Sequence, residues 1–204
     1  MIYLSDNDIL EKLARCDLLD DFLTAYGSTR RDVFVVETLK YRLKRPSAAK
    51  RLGADGLQRI LAFLEQVNIV HDYSREDHLL LAELQIIDIG ETILLSAAGL
   101  YDDFRLATGD KRCLKAIATH PGCLRLAERI KGKVVCFEQI IRTLIGHFGF
   151  DHVRSKVVPA LDCDVALRAA FGSGVDSTED NCVDCLNHYI DELRRLPIDL
   201  LLLP

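Results

Sequence analysis

The chain has 204 residues, a formal net charge of −5 and a hydrophobic fraction of 49%. That length suits one domain, or one domain with an appendage. The mild acidity excludes a global attraction for nucleic acid, so any such contact must use a local basic patch, and no apolar run reaches the roughly 18 to 20 residues of a membrane span.

The chain opens on "IYLSDNDIL", where residues 2–5 are a short apolar run that reads as a buried strand. Residues 9–26 then show helical spacing at Ile9, Leu10, Leu13, Ala14, Leu18 and Phe22, stopped by Gly27 and Ser28. Residues 33–36 are β-branched and aromatic and read as a second strand. Glu37 and a basic helix, "ETLKYRLKR", follow and end at Pro46. Residues 57–66 are helical, and "VNIVHDY" is a third strand. One or two helices fill residues 75–100. "FRLATGD" is a fourth strand with its exit, "KRCLKAIA" its helix, "GKVVCF" a fifth strand and "EQIIRTLIGHF" the helix after it. This alternation predicts a parallel five-stranded sheet in a three-layer α/β/α sandwich. The strands are short and apolar throughout, as in sheets covered on both faces.

The composition changes near residue 150. Residues 1–149 carry the alternating pattern, and residues 150–204 read as a C-terminal helical extension. Its helices span about residues 151–171 and 179–195, joined by "GSGVDST". The terminal "LPIDLLLLP" is apolar and must pack on this domain or on a partner. The seven cysteines are an odd number, scattered, and are expected to be cytosolic thiols in the core. The N-terminal "MIYLSDND" has no basic region ahead of its apolar run, which argues against a signal peptide and for a cytoplasmic protein.

Ligands of open parallel sheets bind at the carboxyl ends of the strands. Acids gather there. Asp6 and Asp8 follow the first strand, Glu37 the second and Asp110 the fourth, while Glu91 lies in "IDIGETILLSAA" just after a helix-breaking Gly90. Each acid alone is explained by a helix cap or by the helix dipole. Together they repel one another unless something positive intervenes. Hard divalent ions, Mg²⁺ or Mn²⁺, take such oxygen ligands and can activate water against a phosphate. Phosphate loops of the type G-x-x-x-x-G-K-[ST] or G-x-G-x-x-G are absent from the sequence.

These residues resemble the motifs of the PIN-domain family of metal-dependent nucleases. "IYLSDNDIL" is similar to its first motif, with Asp6 leading and Asp8 in the variable place. "VVETLKYRL" resembles the second, ending in Glu37. "IIDIGETILLSAA" resembles a Gly-Glu variant of the third, giving Glu91. "LATGDKRCLKAI" is similar to the fourth, a strand ending in Thr108-x-Asp110. The resemblance covers about residues 1 to 140. It implies Mg²⁺ or Mn²⁺ held by Asp6, Glu37, Glu91 and Asp110, with Asp8 as an accessory acid. It also implies hydrolysis of phosphodiesters, most often in single-stranded RNA. Many relatives are dimers, and many are toxins paired with an antitoxin, so a homodimer and a protein partner are expected. Thr108, Lys111 and Arg112 flank the fourth acid and are the expected phosphate contacts.

Two other readings stay open. A PIN-like fold could serve as a catalytically silent binding module, with the C-terminal helices as its interface. "DNDIL" also resembles the Asp-x-Asp nucleophile motif of haloacid-dehalogenase-like phosphatases, but Gly109-Asp110 lacks the following acid of that family, and Ile9 replaces its small residue. The basic strip Lys40, Arg42, Lys44, Arg45, Lys50 and Arg51, with Arg30 and Arg31, is either a backbone contact for nucleic acid or a solvated face. Cys163, Cys182, Cys185 and His188 are either zinc ligands or, for the cysteines, core filler on a helix stripe.

Overall fold

The computed structural model describes residues 1–203, the side chain of Ile2 excepted. Five short strands, β1 (Ile2–Ser5), β2 (Val33–Val35), β3 (Asn68–Ile69), β4 (Phe104–Ala107) and β5 (Val134–Val135), form one sheet. Every pairing is parallel, and the order is β3-β2-β1-β4-β5. Parallel neighbours need crossovers. From β1 to β2 the crossover is α1 (Asn7–Arg15) and α2 (Leu19–Ala25). Next come α3 (Thr38–Leu43) and α4 (Pro46–Leu64), the latter kinked at Gly53, whose φ is 72°. The return to β4 runs through α5 (Arg75–Ala82) and α6 (Ile89–Ala98). The step to β5 uses α7 (Lys111–Thr119) and α8 (Leu124–Ile130). Beyond β5 lie α9 (Phe137–Phe148), α10 (Phe150–Val157), α11 (Val165–Phe171) and α12 (Glu179–Arg194).

The pleat sorts the strand residues between two apolar layers. Tyr3, Val33, Val35, Ala107 and Val135 face α1, α2, α4 and α9. Leu4, Phe104, Leu106 and Val134 face the opposite way, onto α5 to α8. The C-terminal helices join these same layers: Val153, Leu167 and Phe171 enter the first, while Ile190 and Leu193 enter the second. The apolar tail has a defined place. Val134 N donates to Leu200 O at 3.0 Å, and Leu202 N donates to Val134 O at 2.7 Å, so the tail covers the outer edge of β5.

Local chemistry divides two stretches that periodicity reads as single helices. Asp17, at φ 56°, breaks residues 9–26 into α1 and α2. Residues 151–171 are split by a 3₁₀ turn, Val158–Cys163, that contains Pro159; proline lacks the N–H that would continue the helix. Pro46, expected to end a helix, also begins α4, where its missing N–H carries no penalty.

The strand order has a physical consequence. From β1 the chain builds outward to β3, then returns to the other side of β1 with β4 and β5. The reversal between β1 and β4 leaves a crevice at their carboxyl ends, where open parallel sheets bind ligands.

Candidate carboxylate site at the switch between β1 and β4

Asp6 leaves β1 directly into that crevice. Its backbone N–H donates to Ala107 O at 2.9 Å, which ties the strand exit to the end of β4. It occupies the N-cap position of α1, yet its side chain makes no cap hydrogen bond. Burial, then the neighbouring Asp8 carboxylate, pushes the Asp6 carboxyl up to about 6, with Asp88 adding and the Asn7 and Asp8 amides opposing.

Asp110 enters from β4. Its Oδ1 accepts from the N–H groups of Arg112 at 2.8 Å and Cys113 at 3.0 Å, so it caps α7 as the sequence allowed. Thr108 Oγ1 accepts from the Asp110 N–H at 3.3 Å, making Thr108 a buried brace for this turn.

The third contribution is a pair. Asp88 and Glu91 form a capping box at the start of α6: Glu91 N donates to Asp88 Oδ1 at 2.8 Å, and Asp88 N donates to Glu91 Oε2 at 3.1 Å. Gly90 lies between them, where an added Cβ would stand 3.2 Å from Asp88 Oδ1 and crowd the carboxylate. Glu91 is only 7% exposed. Burial pushes its carboxyl up to about 8, and the Asp110, Asp88 and Asp6 carboxylates push in the same direction against the Asp88 amide. The Cys113 thiol behind them is raised by its burial and then by Glu91 and Asp110.

Asp6, Asp8, Asp88, Glu91 and Asp110 line one cleft of about 340 Å³, rimmed by Arg42, Lys111 and Arg112. Asp8 differs from the rest: Lys12 holds it at 2.6 Å and also holds Asp164 of the C-terminal region at 2.7 Å. Burial disfavours the Lys12 charge, but the two carboxylates overcome that and raise the ammonium. Lys111 lies 3.3 Å from Glu138 and 3.5 Å from Glu192, with its Nζ 4.2 Å above the Tyr189 ring. Arg112 is exposed and 3.5 Å from Asp110.

Glu37 stands apart. It is exposed at the start of α3, makes no cap hydrogen bond and does not line the cleft. Asp88 takes a place in the cleft that sequence reasoning left empty. Its signal was present, since "DIGE" is an Asp-x-x-Glu capping box. Of the basic strip, Arg42 and Arg51 are bound to the buried Glu11, at 2.9 Å and 2.6 Å. The zinc residues do not converge. Cys182 donates to Ala170 O at 2.9 Å, His188 is exposed, and Cys163 faces Cys16.

The donor set suits a hard divalent cation in kind, being all carboxylate oxygen at the rim of a polar cleft. In position it is open: among the described residues, no group of three or more His, Cys, Asp or Glu side chains is drawn together as an ion site. The fold and site together define a parallel α/β domain with a carboxylate cleft at its topological switch. No protein-family model, curated protein or solved structure matches the chain. Among the described residues, no helix is long and apolar enough to cross a membrane.

Proposed function

We propose that the chain is a PIN-like nuclease that hydrolyses phosphodiester bonds with Mg²⁺ or Mn²⁺, acting on single-stranded RNA. The observation that carries this reading is the pair Asp6 and Glu91. Glu91 is buried and Asp6 half-buried, both are pushed up by burial and by other acids, and among the described residues neither is ion-paired with a cation. A folded chain tolerates such a repulsive cluster at a cost in stability, and a divalent ion would remove that cost. Asp6, Asp88, Glu91 and Asp110 would hold the ion. Bound there, it supplies an activated water and neutralises charge on the phosphate. Arg42, Lys111 and Arg112 line the rim and would meet phosphate oxygens. Glu91, which holds its proton near neutral pH, would release it as a cation enters.

One observation favours the alternative, a silent PIN-like binding module. Asp88, Glu91 and Asp110 each already secure a helix start. The test incubates the chain with labelled single-stranded RNA, structured RNA and DNA, with Mn²⁺ or with EDTA. Cleavage that needs Mn²⁺, and that is lost in Asp6→Asn and Asp110→Asn variants of unchanged circular dichroism, supports the nuclease. Absence of cleavage on every substrate, together with no Mn²⁺ binding by calorimetry, would sink it and leave the binding module.

A further inference from the structure

A second pair of reactive groups lies away from the carboxylate cleft. Cys16 closes the C-terminal end of α1, and Cys163 ends the 3₁₀ turn that follows α10. They are 147 residues apart in sequence, yet their sulfurs lie 4.0 Å from each other. The residues flanking Cys163 both reach back to α1: Asp162 pairs with Arg15, and Asp164 pairs with Lys12. The two sulfurs therefore face one another between two ion pairs that cross the same seam. Cys16 is fully buried but borders an open groove of about 450 Å³, beside Arg15, Asp17, Pro159 and Ala160. Cys163 is half-buried.

From this geometry we infer that Cys16 and Cys163 are a peroxide-sensitive dithiol that closes to a disulfide between the α/β layers and the C-terminal helices. The ordinary reading of buried cysteines is small hydrophobic filler. That reading accounts for Cys123 and Cys136, packed in the opposite layer. It does not account for two sulfurs facing one another between two ion pairs. The Cys16 contact favours the thiolate at Cys163 against its burial and the Asp164 carboxylate, and Arg15 and Lys12 favour it further. Cys16, pushed up by the Cys163 contact and by its burial, stays a thiol.

The chemistry balances with one peroxide. The Cys163 thiolate attacks a peroxide oxygen, the O–O bond breaks, and the leaving hydroxide takes a proton to become water. The Cys163 sulfenic acid so formed is attacked by the Cys16 sulfur. The S–O bond breaks, a second water leaves with the Cys16 proton, and the S–S bond forms. Two thiols lose two electrons, and one peroxide gains them. The closed bond ties α1, which carries Asp8 and Lys12, to the turn that carries Asp164.

The test uses the full chain. It is treated with a small excess of hydrogen peroxide, its remaining thiols are blocked in denaturant, and unreduced peptides are mapped by mass spectrometry. A Cys16–Cys163 linked peptide, reversed by dithiothreitol and accompanied by a rise in Tm of about 5–10 °C, is the expected result. In Cys16→Ala the oxidation should stop at a sulfenic acid on Cys163 that dimedone traps. Recovery of both thiols as blocked peptides after peroxide, or of Cys163 linked to a different cysteine, would overturn the inference. The mapping on the unaltered chain decides the matter even where a variant at buried Cys16 fails to fold.

Discussion

Two buried glutamates share their burial and differ in the charges around them. Glu11, on α1, is 4% exposed and is clasped by Arg42 and Arg51. Glu91, on α6, is 7% exposed and has Asp6, Asp88 and Asp110 as its charged surroundings. Burial alone costs both of them. Glu11 is compensated from within the chain by guanidiniums in forked contact. Glu91 is compensated by retaining its proton, or by something the chain does not contain. The first is a structural acid that holds α1 against α3 and α4. The second, in the reading proposed above, is a place for an external cation. Burial of a carboxylate therefore does not distinguish a scaffold from a site; the sign of its neighbours does.

The largest effect should separate the two on activity. Asp6→Asn and Glu91→Gln are each expected to lower Mn²⁺-dependent RNA cleavage by about 100-fold or more, because each removes a proposed ligand from the cleft. Glu11→Gln is expected to leave the chemistry within a few-fold in the fraction that is folded. Initial rates on a labelled single-stranded RNA check this, and equal losses at Glu11 and Glu91 would erase the distinction.

Stability should show the reverse ranking. Glu11→Gln leaves two guanidiniums half-paired over a buried position. Breaking such a pair costs about 3–5 kcal/mol when fully buried, and the partial exposure of Arg42 and Arg51 reduces this to about 2 kcal/mol. Glu91→Gln keeps the capping box, since a glutamine oxygen accepts from the Asp88 N–H as well as a glutamate oxygen does. It also deletes the repulsion. A rise of about 1–3 kcal/mol at pH 8 without metal is expected, read as a higher Tm or urea midpoint.

The pH dependence follows from the same two carboxyls. Asp6 rises from 3.8 to about 6 and Glu91 from 4.5 to about 8 on folding. Between those values the folded chain binds more protons than the unfolded one, so these groups favour the fold below about pH 4 and lose that contribution as pH climbs toward 8. Metal-free protein should therefore weaken across this window. Mn²⁺ at 100 times its Kd should restore about 2.7 kcal/mol at pH 8. Thermal melts from pH 5 to 8, with and without Mn²⁺, measure both trends; melts that strengthen with rising pH would contradict the assignment.

The sheet was legible because parallel strands covered on both faces leave short apolar runs between amphipathic helices, and residues 2–5, 33–36 and 104–107 do this plainly. Asp6 and Asp110 were legible as acids at strand exits. Asp17 was not, because one left-handed residue leaves the helical period on either side intact. Arg42 and Arg51 were read as a backbone contact or a solvated face. Their partner, Glu11, lies 31 and 40 residues earlier in the chain, and no local period carries that pairing. Asp88 is written in the capping-box pattern with Glu91, and a capping residue and a site residue look alike until their neighbours are known.

Glu37 gives the smallest expected effect and the sharpest check on that last point. It follows β2 as Asp6 follows β1, so strand-exit reasoning treats the two alike. Their surroundings differ: Val36 turns into the buried layer while Glu37 begins α3 in water, outside the cleft lining. An exposed side chain without a hydrogen bond is worth little to stability. Glu37→Gln should shift ΔG by less than about 0.5 kcal/mol and change Mn²⁺ affinity less than twofold, measured by calorimetry. Asp88→Asn should weaken the same affinity about tenfold or more. If Glu37 proves the more important of the two, α3 must move toward the cleft when a cation binds, and the carboxylate set has to be redrawn with Glu37 inside it.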